Sequence, residues 1–204
     1  PRYESFFAFT PEGLPADEGV LRAVERMIQD LHALKKAPLV DPYTGPAILS
    51  GRASAVFFHE VMGHRIEGHR QKEEEEGQTF KKKLNEQVLP ATFSVYSDPT
   101  MSRLGRTDLA GAYRYDNEGV KARRLTVVEH GILRNFLMSR SPIEASPTSN
   151  GHGRKQQGFP VVARQSNLLV EVSQPVPAAE LKKMLVEAIQ KENKPFGLYF
   201  DDIQ

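Results

Sequence analysis

Apolar positions recur with a helical period at both ends of the chain and with a strand-like period between them. In "PADEGVLRAVERMIQDLHALKKA", Leu21, Val24, Ile28 and Leu31 return at steps of three and four, which gathers them on one helix face. Asp17 and Glu18 stand near its start and Lys35 and Lys36 near its end, each sign where the helix dipole favours it. "PAAELKKMLVEAIQKEN" predicts a second amphipathic helix with Leu181, Leu185 and Ile189 on one face. "PLVDPYTGPA", with three Pro and one Gly, breaks the first pattern into a loop or irregular edge. "AILSGRASAVFFHEVMGHRIEG" then passes from a short apolar stretch into a helix predicted around Ala53–Met62.

Between the helices, "ATFSVYSD" alternates like a strand, "VVARQSNLLVEVS" is a second strand, and "RLTVVEHGILRNFLMS" reads as a hairpin turning at Glu129-His130-Gly131. "LGRTDLAGAYRYDNEG" is read as a loop ending in a turn, and "SPIEASPTSNGHGRKQQG" as a Gly/Ser/Pro loop. "RQKEEEEGQTFKKK" is expected to form a mobile surface loop, a lid at most. There is no internal repeat. The predicted class is α+β, with mixed or antiparallel strands and hairpins, a motif helix and flanking amphipathic helices. Residues 1–204 are expected to form a single domain. A start at Pro1 and an end on "YFDDIQ" lead us to expect a fragment of a longer protein.

Composition narrows the function. Lys plus Arg number 27 against 26 acidic residues, a formal charge of +1, so neither direct nucleic-acid binding nor a polybasic membrane surface is expected. No apolar run reaches the roughly 18 residues of a membrane span. The absence of Cys excludes disulfides and any thiolate metal ligand from this chain.

The chemistry concentrates in "FFHEVMGHRIEGHRQ", residues 57–71. The helical zinc motif H-E-x-x-H places two His four apart on one face, but Gly63 stands where the second His belongs. The longer pattern H-E-x-x-H-x-x-G-x-x-H fails as well, because Gly63 and Ile66 occupy its middle positions although His69 matches its end. His59 and His64 are five apart, about 140° on an ideal helix. One wide turn near Gly63 would bring them together, leaving Glu60 to face a metal-bound water as general base. The alternative is a polar surface helix with solvated His, Arg and Glu. The apolar "AVFF" before the motif favours a half-buried helix whose His approach an interior cavity.

"HEVMGHRIEG" resembles the motif of the TldD/PmbA family, metallopeptidases once described as modulators of DNA gyrase. The family pattern H-E-x-x-G-H-x-x-E-G is matched by His59, Glu60, Gly63, His64, Glu67 and Gly68. "YDNEGVKARRLTVVEHGILRNFLMSR", "SNGHGRKQQGFPVVARQSNLLVE" and "PAAELKKMLVEAIQKENKPFGLYF" are similar to segments that follow the motif in the family, so the resemblance runs from about Pro38 to the end. It implies that residues 1–204 are a fragment of a metallopeptidase domain. The implied activity is that of a zinc-dependent peptidase for small or unfolded peptides, with His59 and His64 as metal ligands and Glu60 as the catalytic base. The resemblance also implies a homodimer or hetero-oligomer with a related subunit, and a cytoplasmic location. The family's third ligand is a C-terminal Cys. Here it is expected beyond Gln204, unless this protein departs from the pattern. His69-Arg70 stands where Asp commonly follows Glu-Gly.

Several further residues carry open readings. His69 and His152 are weak candidates for a replacement ligand; more simply, His69 is a surface His or one that supports a ligand from behind, and His152 is a loop residue. Glu67 could orient a ligating His or stand solvated at a helix end. Arg65 and Arg70 could pair with a substrate carboxylate but read more simply as solvated. The Asn150–Arg154 loop could approach a substrate backbone, or be merely flexible. The strand over Val161–Val172 could offer an edge to an extended peptide or lie inside a sheet. His32 and His130 read as a surface helix residue and a turn residue. A non-catalytic partner subunit is the rival function, disfavoured because an inactive subunit has no need of the full His-Glu-His set.

Overall fold

The computed structural model describes residues 2–72 and 78–203. Three α-helices are present among them: α1 (Asp17–Lys36), α2 (Gly51–Phe58) and α3 (Ala178–Lys191). The strands, in chain order, are β1 (Ala47–Leu49), β2 (Phe93–Ser97), β3 (Arg103–Leu104), β4 (Thr107–Asp108), β5 (Leu125–Glu129), β6 (Ile132–Leu133), β7 (Gly153–Arg154), β8 (Val162–Ala163), β9 (Leu168–Val172) and β10 (Leu198–Phe200). The architecture is α+β, as the periodicities predict.

An antiparallel sheet of order β6-β5-β2-β9 forms the centre. Its best-specified turn is the predicted hairpin. His130 and Gly131 adopt φ of 47° and 81°, the paired left-handed residues of a two-residue turn whose twist matches that of the strands. Val128 therefore faces Leu133 and Glu129 faces Ile132. β1 and β10 pair in parallel, and α3 rests its half-buried Leu185 and Ile189 against Gly197 just before β10, where a Cβ would meet both side chains at 2.8 Å. Val95, Val127, Val128, Leu133 and Phe136–Met138 make the buried core, with Met62 and Ile66 from the motif region packed into it.

Three expectations change. The stripe of α1 is present, but Leu21, Val24, Ile28 and Leu31 are all exposed and only Ala23 is buried. Periodicity identifies an apolar face without supplying the surface that covers it. The stretch "VVARQSNLLVEVS" divides into β8 and β9, because the chain bends at Arg164–Asn167, where Asn167 donates its side-chain amide to the carbonyls of Asp98 and Met101. Asn150–Gly153 of the "SNGHGR" segment are buried, and Gly153–Arg154 pairs with Val162–Ala163. The Glu-rich part of the expected surface loop, residues 73–77, lies outside the described residues.

The motif region is fastened to the core by backbone hydrogen bonds. Leu137 N–H donates to the Ile66 carbonyl and Gly68 N–H to the Leu137 carbonyl, both at 2.8 Å. The approach requires glycine, since a Cβ on Gly68 would lie 2.5 Å from Met138 Sδ and 2.7 Å from the Leu137 carbonyl oxygen. Gly68→Ala is therefore expected to lower stability by about 1–3 kcal/mol through overpacking against a backbone that cannot yield. Urea denaturation checks this, with Gly51→Ala, where no atom lies within 4 Å of the new Cβ, as the steric control.

Candidate metal centre

The site begins at the N-terminus of α2, where Ser50 Oγ accepts a hydrogen bond from Ala53 N–H at 3.2 Å, a side-chain cap on an otherwise unpartnered donor. The α-helix runs to Phe58 and then widens. His59–Gly63 form a π-helical turn, closed by the His64 N–H donating to the His59 carbonyl, and His64–Ile66 tighten into a 3₁₀ turn. The i→i+5 closure accommodates the extra residue that separates this motif from H-E-x-x-H. The two imidazoles lie edge to face with ring centres 4.5 Å apart.

Gly63 contributes differently from the expectation. Its φ and ψ of −57° and −51° are ordinary helical values, so no backbone freedom is used. A Cβ there would run into the Gln165 side chain, and the glycine makes room for the segment before β9.

Glu60 stands between the histidines. Its Oε1 is 3.8 Å from His59 Nε2 and its Oε2 is 4.0 Å from His64 Nε2. One donor atom from each of His59, Glu60 and His64 falls within 4.8 Å of the others, and this is the metal-capable group found among the described residues. The expected interior cavity does not hold: the side chains of His59 and Glu60 are 51 % and 61 % exposed, because the apolar side of the helix enters the core through Ala53 and Met62. The group opens to solvent.

Behind His64 lies Glu67, only 1 % exposed. Its Oε2 is 3.2 Å from His64 Nδ1 and accepts from Arg70 Nε at 2.8 Å. Arg164 Nη1 reaches both of its oxygens, at 3.3 and 3.4 Å. A carboxylate in such company only accepts hydrogen bonds, so the proton of His64 belongs on Nδ1 and the Nε2 lone pair faces Glu60 and His59. Of the two readings of Glu67 the solvated one fails, and the carboxylate lies against the Nδ1 nitrogen of His64. Two imidazoles within reach of one point, one of them with its tautomer held from behind, form a donor set that fits zinc.

The remaining candidates lie elsewhere. Arg70 is occupied by Glu67, and Arg65 donates to the Thr79 hydroxyl, so neither is a merely solvated face. His69 is outside the metal-capable group and lines a cleft with Arg154 and Arg164. His130 occupies the hairpin turn and His32 the exposed surface of α1, as expected. His152 is fully buried, with Nε2 3.0 Å from Ser97 Oγ and Nδ1 3.0 Å from Asn150 Oδ1, so protein partners take both nitrogens and it is no replacement ligand. Arg164 and Gln165 were missed by sequence reasoning: Arg164 is 97 residues from Glu67, and no local spacing links the two.

Comparison with known proteins identifies a family. The family model described as the PmbA/TldA metallopeptidase C-terminal domain matches residues 42–193. The chain belongs to the PmbA/TldD family. A metalloprotease of Methanocaldococcus jannaschii is 32 % identical over 127 residues, covering 61 % of this chain and 26 % of the relative. A metalloprotease of Archaeoglobus fulgidus is 30 % identical over 125 residues, covering 61 % and 27 %. The zinc metalloprotease TldD homolog of Saccharolobus solfataricus is 24 % identical over 127 residues, with the same shares of 61 % and 27 %. The chain thus spans about a quarter of the length of these relatives. Among solved structures, TldE from Thermococcus kodakarensis aligns over 83 % of this chain and 36 % of its own, with a TM-score of 0.55 and 21 % identity. A Thermotoga maritima protein described as a candidate modulator of a DNA gyrase aligns over 87 % and 38 %, with a TM-score of 0.64 and 24 % identity. At these identities the two structures speak for the fold.

Burial pushes the His152 imidazole down to about 4, outweighing its hydrogen bond to the Asn150 carbonyl. In the unfolded chain His protonates near 6.5, so below that pH the unfolded state binds the extra proton and stability is lost. The loss is expected as pH falls from about 6.5 to about 4, and to reach on the order of 3 kcal/mol. Denaturation curves across this range for the wild type and His152→Gln check it, the variant showing the shallower dependence.

Proposed function

We propose that this chain carries the metal-binding and proton-transfer part of a zinc-dependent peptidase that hydrolyses small or unfolded peptides. His59 and His64 are its ligands through Nε2, and Glu60 is its general base. The observation that carries this reading is the π-turn that turns a five-residue spacing into a convergent pair, with a carboxylate between the two rings. Zinc, when bound, supplies Lewis acidity that acidifies a water molecule and polarises a peptide carbonyl. Glu60, exposed and adjacent to both imidazoles, takes the proton from the attacking water and returns it to the departing amine. Glu67 holds the His64 ring with its lone pair outward.

β9 pairs with β2 on one side, and no described strand pairs with its other edge. An extended peptide added there would be gripped by its main chain, which suits a peptidase that does not read sequence closely. Gln165, against Gly63, joins this edge to the motif. Residues 1–204 are read as part of a longer metallopeptidase chain that supplies a third ligand, working as a homodimer or with a related subunit; the family match and the length of the relatives support the longer chain. No helix among the described residues is long and apolar enough to cross a membrane.

The test is zinc affinity combined with peptide hydrolysis, measured on the full-length protein. His59→Ala and His64→Ala are each expected to weaken zinc binding at least about tenfold. Glu60→Gln is expected to retain zinc while hydrolysis falls at least about a hundredfold. Unchanged zinc affinity in the His variants, or full hydrolysis by Glu60→Gln, overturns the assignment.

A further inference from the structure

A second feature lies on the far side of Glu67. The β7–β8 hairpin and the 3₁₀ turn Gly68–Lys72 border a cleft of about 470 Å³ whose lining, among the described residues, includes His69, Arg154, Lys155, Phe159 and Arg164 and no acidic side chain. The hairpin tip is shaped by Phe159 N–H donating to the Gln156 carbonyl at 3.0 Å and by Gly158 at a φ of 83°, a value glycine adopts without strain. The Arg154 guanidinium lies over the Tyr113 ring, 4.2 Å from its centre, which orients its planar donor face. Arg164 forms part of the wall, hydrogen-bonds Glu67 and keeps 42 % of its side chain exposed. Arg164 thus links the cleft wall to His64 through the Glu67 carboxylate that both contact.

Cations gathered in a concave site with no acid in its lining favour an anionic ligand, and oriented guanidinium groups favour a carboxylate in particular. Phe159 adds exposed apolar surface at the same rim. We propose that this cleft is a carboxylate subsite, taking an acidic side chain or the free C-terminal carboxylate of a peptide whose main chain lies at the His59-Glu60-His64 group. The proposal rests on the peptidase reading and makes that peptidase selective for acidic or free-ended peptides.

Equilibrium binding tests it apart from catalysis, with the Glu60→Gln chain used to prevent turnover. Four peptides of one length are compared: a Glu and a Gln version, each with a free or an amidated C-terminus. The better carboxylate-bearing peptides are expected to bind about five- to tenfold tighter than the neutral amide, with the preference shrinking as salt is raised. A preference for the amidated Glu peptide assigns the subsite to side chains, and one for the free-ended Gln peptide to the C-terminus. Arg154→Ala with Lys155→Ala is expected to abolish the preference and leave the neutral amide unaffected. Lys155 is exposed, so Lys155→Glu leaves the fold intact, and it is expected to reduce or reverse the preference by itself. Equal affinity for all four peptides, or a preference that survives both variants, overturns the subsite. Loss of zinc binding or hydrolysis bears instead on the peptidase reading, because this assay measures neither.

Discussion

The site depends on one hydrogen bond being made a residue later than an α-helix would make it. His64 N–H closes on the His59 carbonyl, and the wider turn absorbs the residue that otherwise sets the two imidazoles about 140° apart. A single π-type turn inside a helix sacrifices regular packing, and it persists here because both sides are held. Ser50 caps α2 on one side. On the other, Ile66 and Gly68 are tied to Leu137 in the core.

Glu67 makes the arrangement directional. It is buried where a carboxylate is costly unless fully partnered, and it has three partners: His64, Arg70 and Arg164. Those contacts offset its desolvation, fix the His64 tautomer and connect the motif to the segment before β9. The two halves of the site are thus joined by charge as well as by backbone. On the open side Glu60 and His59 face solvent, and that is the side the proposed chemistry would use.

Much of this was legible in the sequence, for reasons that can be named. The β5–β6 hairpin followed from two β-prone runs around His130-Gly131, because its turn is a local matter of φ. That His59 and His64 could converge only through a wide turn followed from their spacing, although a polar surface helix stayed an open alternative. The contact of Glu67 with His64, three residues away, was one of two readings the sequence left open, whereas the part of Arg164 was not legible, because it comes from a contact across 97 residues that no local period encodes. Gly63 was read for its backbone freedom and is used for its missing side chain, a distinction visible only when Gln165 is in place. The burial of Asn150–Gly153 was hidden in the same way, since "SNGHGR" has a loop's composition while His152 and Asn150 satisfy their polar atoms in the interior. The α1 stripe shows the converse: a period predicts an apolar face and is silent about its partner.

The most direct measurement of the central claim is a zinc titration followed by long-range nitrogen–proton NMR of the histidine side chains. The account predicts that Nε2 of both His59 and His64 shifts on zinc addition, that His64 carries its proton on Nδ1 before and after, and that His152 is unmoved. Zinc engaging His64 through Nδ1, or only one of the two rings responding, would contradict it.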